Sequence, residues 1–118
     1  MIANLNIGVD LVNITRFKKI PVSSKKNFYD KIFLPSEIQY CSKFKNPYEH
    51  FAGKFAVKEA VKKSTNKRIS FLEIETYHRN SKPLVKIHGK YKNQFQFDVS
   101  ISHEQDFAIA VVLSFKIY

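Results

Sequence analysis

Between Asn46-Pro47 and Ser64 the chain holds a long stretch free of further proline, with one internal glycine. This spacing predicts the longest helix of the molecule, from about Tyr48 to Ser64, opened by a proline at a first-turn position. Shorter helices are expected ahead of it. Asn13 or Thr15 can cap one carrying Arg16, Phe17 and Ile20, residues near Phe28–Phe33 have helical character, and Pro35-Ser36-Glu37 opens another that runs to about Phe44. The remaining segments alternate. In residues 5–12, Ile7, Val9 and Leu11 share one face while Asn6, Gly8 and Asp10 share the other, which is the period of a strand. Residues 69–78 and 84–88 form a hairpin across Asn80-Ser81-Lys82-Pro83, one helical turn fits Gly89–Gln94, and 97–102 with 107–115 form a second hairpin across His103–Asp106. Helices gather early and strands late, so the expected class is α+β. It has a largely antiparallel sheet of about five strands packed against one long and several short helices.

With 118 residues, no repeat and no linker, a single domain spanning 1–118 is expected. Twenty basic residues against ten acidic give a net charge of +10, a field that steers anionic partners. Cys41 is the lone cysteine, so no internal disulfide forms, and no Cys–His spacing resembles a zinc site. Neither a signal-peptide pattern nor an apolar run of membrane-spanning length is present, which predicts a cytoplasmic protein without membrane contact.

Two carboxylates stand in apolar surroundings. With Phe51 of the long helix at 0°, Phe55 falls at about 40°, Ala52 at about 100° and Ala56 at about 140°, which leaves Glu59 at about 80°, inside the apolar arc. An i,i+4 pair with Lys63 is the plain explanation, with a value of only ~0.3–0.5 kcal/mol when exposed. Asp10 interrupts an apolar strand, where aspartate is disfavoured, and Gly8 on the same face opens space beside it. Capping of the next helix or a pair with Arg16 would account for Asp10 without any chemistry. Alternatively the two acids share a hard cation. Magnesium takes one or two carboxylates and completes its shell with waters and substrate phosphate oxygens. Lys54, Lys58 and Lys62 recur every four residues as a basic ridge beside Glu59, suited to a polyphosphate or else simply solvated. No glycine-rich phosphate loop exists, and Ser100 and Ser102 lack the partners of a serine nucleophile.

These positions carry a resemblance. Gly8-Val9-Asp10-Leu11-Val12 with Arg16 is similar to the opening signature of the holo-acyl-carrier-protein synthases, a branch of the phosphopantetheinyl transferases. Phe51-Ala52-Gly53-Lys54-Phe55-Ala56-Val57-Lys58-Glu59-Ala60 with Lys63 resembles the family's central helix, and Ser100-Ile101-Ser102-His103 its closing motif. Phe71–Ile74 and Lys82-Pro83 fall where the family has a strand and a turn. Any one motif is weak, but three in order across the whole chain are specific.

The resemblance implies the phosphopantetheinyl transferase fold and a magnesium-dependent transfer of phosphopantetheine from coenzyme A to a serine of an acidic apo acyl carrier protein. Asp10 and Glu59 would hold Mg²⁺, and Glu59, Asp10, His103 and Lys63 would form the catalytic set. Lys54, Lys58, Lys63, Lys82, Pro83, Ser102 and His103 would bind coenzyme A, and Arg16 with Lys19 the carrier protein. Family members of this short type are homotrimers with sites between subunits, so His103 would face a neighbour's Asp10 and Glu59. Two departures stand out: Lys54 replaces a common Arg, and Ser64–Arg68 lacks the family's glycines. The competing readings are a small basic nucleic-acid-binding module and a weakly active family member that binds the carrier protein. For the first, no nucleic-acid-binding fingerprint is present and Lys far outnumbers Arg, so no nucleic-acid partner is expected.

Overall fold

In the computed structural model, which describes residues 2–117, the first alternating segment is strand β1 (Leu5–Asn13). Asn13 ends it and caps α1 (Ile14–Lys18), its Oδ1 accepting from the Thr15 N–H at 2.9 Å. This satisfies one of the orphan donors at the helix start. Two further short helices follow, α2 (Lys26–Asp30) and α3 (Pro35–Ser42). The long helix α4 (Pro47–Thr65) stops at Asn66, whose φ of 54° is the left-handed conformation that asparagine tolerates at a helix end. A 3₁₀ turn at Phe71–Glu73, strands β2 (Ile74–Arg79) and β3 (Lys82–Ile87), a second 3₁₀ turn at Gly89–Tyr91, and strands β4 (Phe95–Glu104) and β5 (Phe107–Lys116) complete the chain.

The five expected strands divide into two sheets rather than one. β1, β5 and β4 form an antiparallel sheet in that order, and β2 and β3 form a second, two-stranded one. Residues 69–73 are not strand. Glu73 folds back onto Ser70, its Oε1 accepting from the Ser70 N–H and Oγ at 3.0 Å each, and those bonds hold the turn. α2 also ends before Phe33, which is core rather than helix.

α4 lies across one face of the three-stranded sheet. The apolar side of β1 is not the one it covers. Ile7, Val9 and Leu11 are 65%, 50% and 60% exposed, whereas Gly8 and Val12 face the helix. Gly8 is required there because a Cβ would stand 2.0 Å from the Ala60 carbonyl oxygen of α4. Its missing side chain therefore admits the helix backbone, not a ligand beside Asp10. Across the sheet, Ser114 Oγ donates to the Ser64 carbonyl at 3.0 Å. On the other side of α4, Phe51 meets Tyr29 and Phe33 with ring centres 4.8 and 5.0 Å apart, and these buried rings form the second half of the core.

Candidate active site

Asp10 projects from β1 toward α4. Lys63 donates to Asp10 Oδ1 at 3.1 Å and to the Val9 carbonyl at 3.0 Å. Asp10 therefore pairs with neither Arg16 nor the helix cap, which Asn13 supplies. Glu59, one turn before Lys63 on the same flank of α4, is half-buried and makes no hydrogen bond or ion pair among the described residues. The i,i+4 pair between Glu59 and Lys63 does not form, because Lys63 reaches across to the strand. Asp10 and Glu59 are hard oxygen donors of the kind magnesium takes, one or two carboxylates with water and phosphate oxygens completing its shell, and Lys63 on Asp10 Oδ1 leaves the second carboxylate oxygen for the metal. No group of three acidic, His or Cys side chains able to hold a metal occurs among the described residues, so the protein itself offers at most two carboxylates.

The basic ridge does not exist as a solvated surface. Lys58 is fully buried, and its amine donates to Glu37 Oε1 at 2.6 Å, the Ile32 carbonyl at 2.7 Å and the Phe71 carbonyl at 3.1 Å. With all three protons committed, it has none for a coenzyme A phosphate. Glu37 is the hub of this network. Its Oε1 also accepts from the Leu34 N–H at 2.7 Å, and its Oε2 takes the Thr76 N–H at 2.8 Å and the Thr76 hydroxyl at 2.5 Å. Lys54 lies at 3% exposure and donates to the Thr76 hydroxyl at 3.0 Å and carbonyl at 3.2 Å. Burial pushes the amines of Lys54 and Lys58 below the usual lysine range, and Glu37 opposes the shift in both. Lys62 lies over the Phe71 ring, 3.4 Å from its centre.

A cavity of about 360 Å³ opens on the other flank of α4, lined among others by Lys54, Pro83, His50, His78 and His103. His103 belongs to β4 rather than to the turn, and its Nε2–H donates to the Glu49 carbonyl at 3.1 Å. That bond leaves Nδ1 to meet a ligand. Gly53 gives the ring room, since a Cβ there would come within 3.2 Å of His103 Nε2. Ser102 alternates to the opposite face of the sheet and pairs with Ile109, so its side chain faces away from this cavity. Lys82 is exposed, 3.8 Å from Asp98 Oδ1. Asp10 and His103 are not brought together. Asp10 pairs with Ala110 of β5 and His103 with Ala108, which separates them by two strand spacings and two residues, roughly 12 Å.

Arg16 and Lys19 are exposed on and just after α1, beside exposed Lys18. The reading of the sequence missed Glu37, Thr76, Tyr40, His50 and His78. Three of the chain's four histidines converge on this cavity, and only the fold brings them together.

A sequence model described as the 4′-phosphopantetheinyl transferase superfamily matches residues 6–112. The chain belongs to this family. Among curated superfamily members, the holo-[acyl-carrier-protein] synthase of Thermodesulfovibrio yellowstonii is 40% identical over 110 residues, covering 91% of this chain and 95% of that one. The enzyme of the same name from Halothermothrix orenii is 36% identical over 117 residues, covering 91% and 94%. Solved superfamily structures superpose over most of the chain. The Helicobacter pylori synthase in complex with coenzyme A gives a TM-score of 0.76 at 36% identity, covering 90% of this chain and 96% of that one. The Bacillus anthracis synthase, in complex with CoA (3′,5′-ADP), gives 0.78 at 29% identity, covering 94% and 96%. The transferase fold expected from the motifs is therefore the fold observed.

Proposed function

We propose that this chain is a holo-[acyl-carrier-protein] synthase, moving phosphopantetheine from coenzyme A to a serine of apo acyl carrier protein. The observation that carries the reading is the contact of Lys63 with Asp10 beside Glu59, in a chain of this superfamily. The serine Oγ attacks the phosphorus bearing the pantetheine arm. The bond from that phosphorus to the bridging oxygen breaks, and adenosine 3′,5′-bisphosphate leaves with the electron pair. Phosphoryl chemistry of this kind needs positioning and charge neutralisation more than covalent help. Asp10 and Glu59 would hold Mg²⁺, whose positive charge would offset the pyrophosphate. Lys63 adds a cation from the same flank, and Glu59 accepts the serine proton directly or through a water. His103, Lys54 and Pro83 receive the nucleotide in the cavity.

The two half-sites lie on opposite flanks of α4, and this supports a site completed between subunits of a homotrimer. The exposed face of the three-stranded sheet supports it too. Ile7, Val9 and Leu11 of β1 lie beside Ile109 and Leu113 of β5, which are 37% and 38% exposed. A contiguous apolar patch of this kind marks an association surface. The +10 charge suits an acidic carrier protein. No helix among the described residues is long and apolar enough to cross a membrane. We place the reaction in the cytoplasm, where the buried free thiol of Cys41 stays reduced.

The test mixes the protein with coenzyme A, Mg²⁺ and apo carrier protein and weighs the carrier by mass spectrometry. A gain of one phosphopantetheinyl group is expected, and an unmodified carrier at high enzyme concentration would refute the reading. Mixing Glu59→Ala with His103→Ala chains should restore activity if the site is shared, and light scattering should give a trimer mass.

A further inference from the structure

Of the three histidines on the cavity, only His103 has a part in the transfer as described. His50 and His78 are each held by an aromatic ring. His50 stacks on Phe44 with ring centres 3.8 Å apart and planes at 17°, and His78 stacks on Tyr40 at 4.9 Å and 11°. His50 also lies 6.2 Å from Tyr40 and 6.4 Å from His103, ring centre to ring centre. His78 Nδ1 is buried without a hydrogen-bond partner among the described residues. A proton there would be an unsatisfied buried donor, so the neutral ring keeps its proton on Nε2, the nitrogen left to meet a ligand.

We propose that His50 and His78 bind a phosphate group in this cavity, His78 as a neutral donor and His50 taking up a proton as the phosphorylated nucleotide binds. This rests on the reading of the cavity as the coenzyme A half-site.

The charges around the two rings support the coupling. His50 meets Glu49 and Lys54 of its own helix, Tyr40 of α3 with Phe44 just beyond it, His78 of β2 and His103 of β4. His78 meets Tyr40 of α3 and Lys43 just after it, and Lys54 and His50 of α4, while Ser81 and Pro83 line the same cavity without charge. Burial holds both imidazoles below their usual value. For His50, Glu49 opposes the shift while His103 and Lys54 add to it; for His78, Lys54, His50 and Lys43 all add to it. Both rings are therefore neutral at pH 7 in the free protein. Lys54, the lysine among the cavity-lining residues, is already bonded to Thr76. A phosphate monoester carries about −1.5 to −2 charge at neutral pH. Placed against the rings, it accepts a hydrogen bond from the neutral His78 Nε2–H and favours imidazolium at His50, which an opposite charge within about 4–6 Å is enough to do. By linkage, affinity then rises as pH falls from 8 toward 6.5, until the phosphate itself protonates at about 6.

The experiment is calorimetric titration of the full chain with adenosine 3′,5′-bisphosphate. It is run at pH 8 and pH 6.5 in buffers of different ionisation heat, which counts protons. The wild type, the double variant His50→Phe with His78→Gln, and a second double variant His50→Gln with His78→Gln are compared, each checked for its fold by circular dichroism. The wild type should bind on the order of fivefold more tightly at pH 6.5 than at pH 8 and take up more protons than either double variant. Equal proton uptake and parallel pH profiles in wild type and a folded double variant would overturn the proposal and leave the cavity assignment intact. Absence of binding, or binding that Lys54→Ala and His103→Ala leave unchanged, would overturn the cavity assignment and the proposal with it.

Discussion

Lys58 and Glu37 form an ion pair with no solvent exposure at either side chain, Nζ to Oε1 at 2.6 Å. Lys58 belongs to α4 and Glu37 to α3, and Thr76 of β2 closes the other carboxylate oxygen, so one polar knot ties three elements together. Such a pair is weak evidence of net stabilisation over an apolar replacement, yet breaking it on one side strands a buried charge.

Lys58→Met should therefore unfold the protein more easily, by about 3–5 kcal/mol, in urea denaturation. Replacing both partners, Lys58→Met with Glu37→Leu, removes the stranded charge but also the acceptor of the Leu34 and Thr76 donors, so it should recover little of that loss. In whatever fraction remains folded, the KM for coenzyme A should match the wild type. A raised KM with unchanged stability would return Lys58 to the substrate site.

Asp10→Asn and Glu59→Gln should each lower the magnesium-dependent transfer rate. Losing several kcal/mol of charge stabilisation corresponds to on the order of 10³-fold. Both residues are at the edge of the helix–sheet contact rather than in it, so the melting temperature should shift by only a few degrees. Turnover at wild-type rates in either variant would end their assignment to the metal.

Arg16→Glu should raise the KM for apo carrier protein, about tenfold if ~1.4 kcal/mol is lost, and leave the KM for coenzyme A unchanged. Asp10 is paired with Lys63, so Arg16 is spared that structural duty. The same variant should weaken the salt dependence of association, because screening over ~8–10 Å is what weakens a steered encounter. Steady-state kinetics at low and high salt read both effects.

Cys41 should resist thiol reagents while the protein is folded. Burial raises its thiol from an ordinary value of 9.0 to about 12, with Glu37 adding to the shift and Lys54 and Lys58 opposing it. The thiolate that reacts is thus scarce at pH 8. The sign of the linkage is that this group's contribution to stability is fully present below pH 9.0 and lost as pH rises toward about 12. Stability measured in denaturant should fall across that window, and more steeply than in Cys41→Ala.

Local order was legible in the sequence wherever a period or a cap decided it. The alternation of Ile7, Val9 and Leu11 against Gly8 and Asp10, the Asn13 cap and the Pro47 opening each set a backbone conformation through neighbours within a few residues. The same spacing put Glu59 and Lys63 on one flank of a helix, and the motifs around them carried the family. Periodicity says which residues share a face but not what that face meets. That Ile7, Val9 and Leu11 turn outward, that Lys63 reaches Asp10 instead of Glu59, and that Lys54 and Lys58 are buried were decided by tertiary contacts. Glu37 lies 21 residues from Lys58 and Thr76 lies 39 from Glu37, and only the folded chain brings their hydrogen-bonding groups within reach of one another. A lysine is driven from the surface into the interior only where such acceptors already wait for it, and that is a property of three packed elements rather than of any one of them.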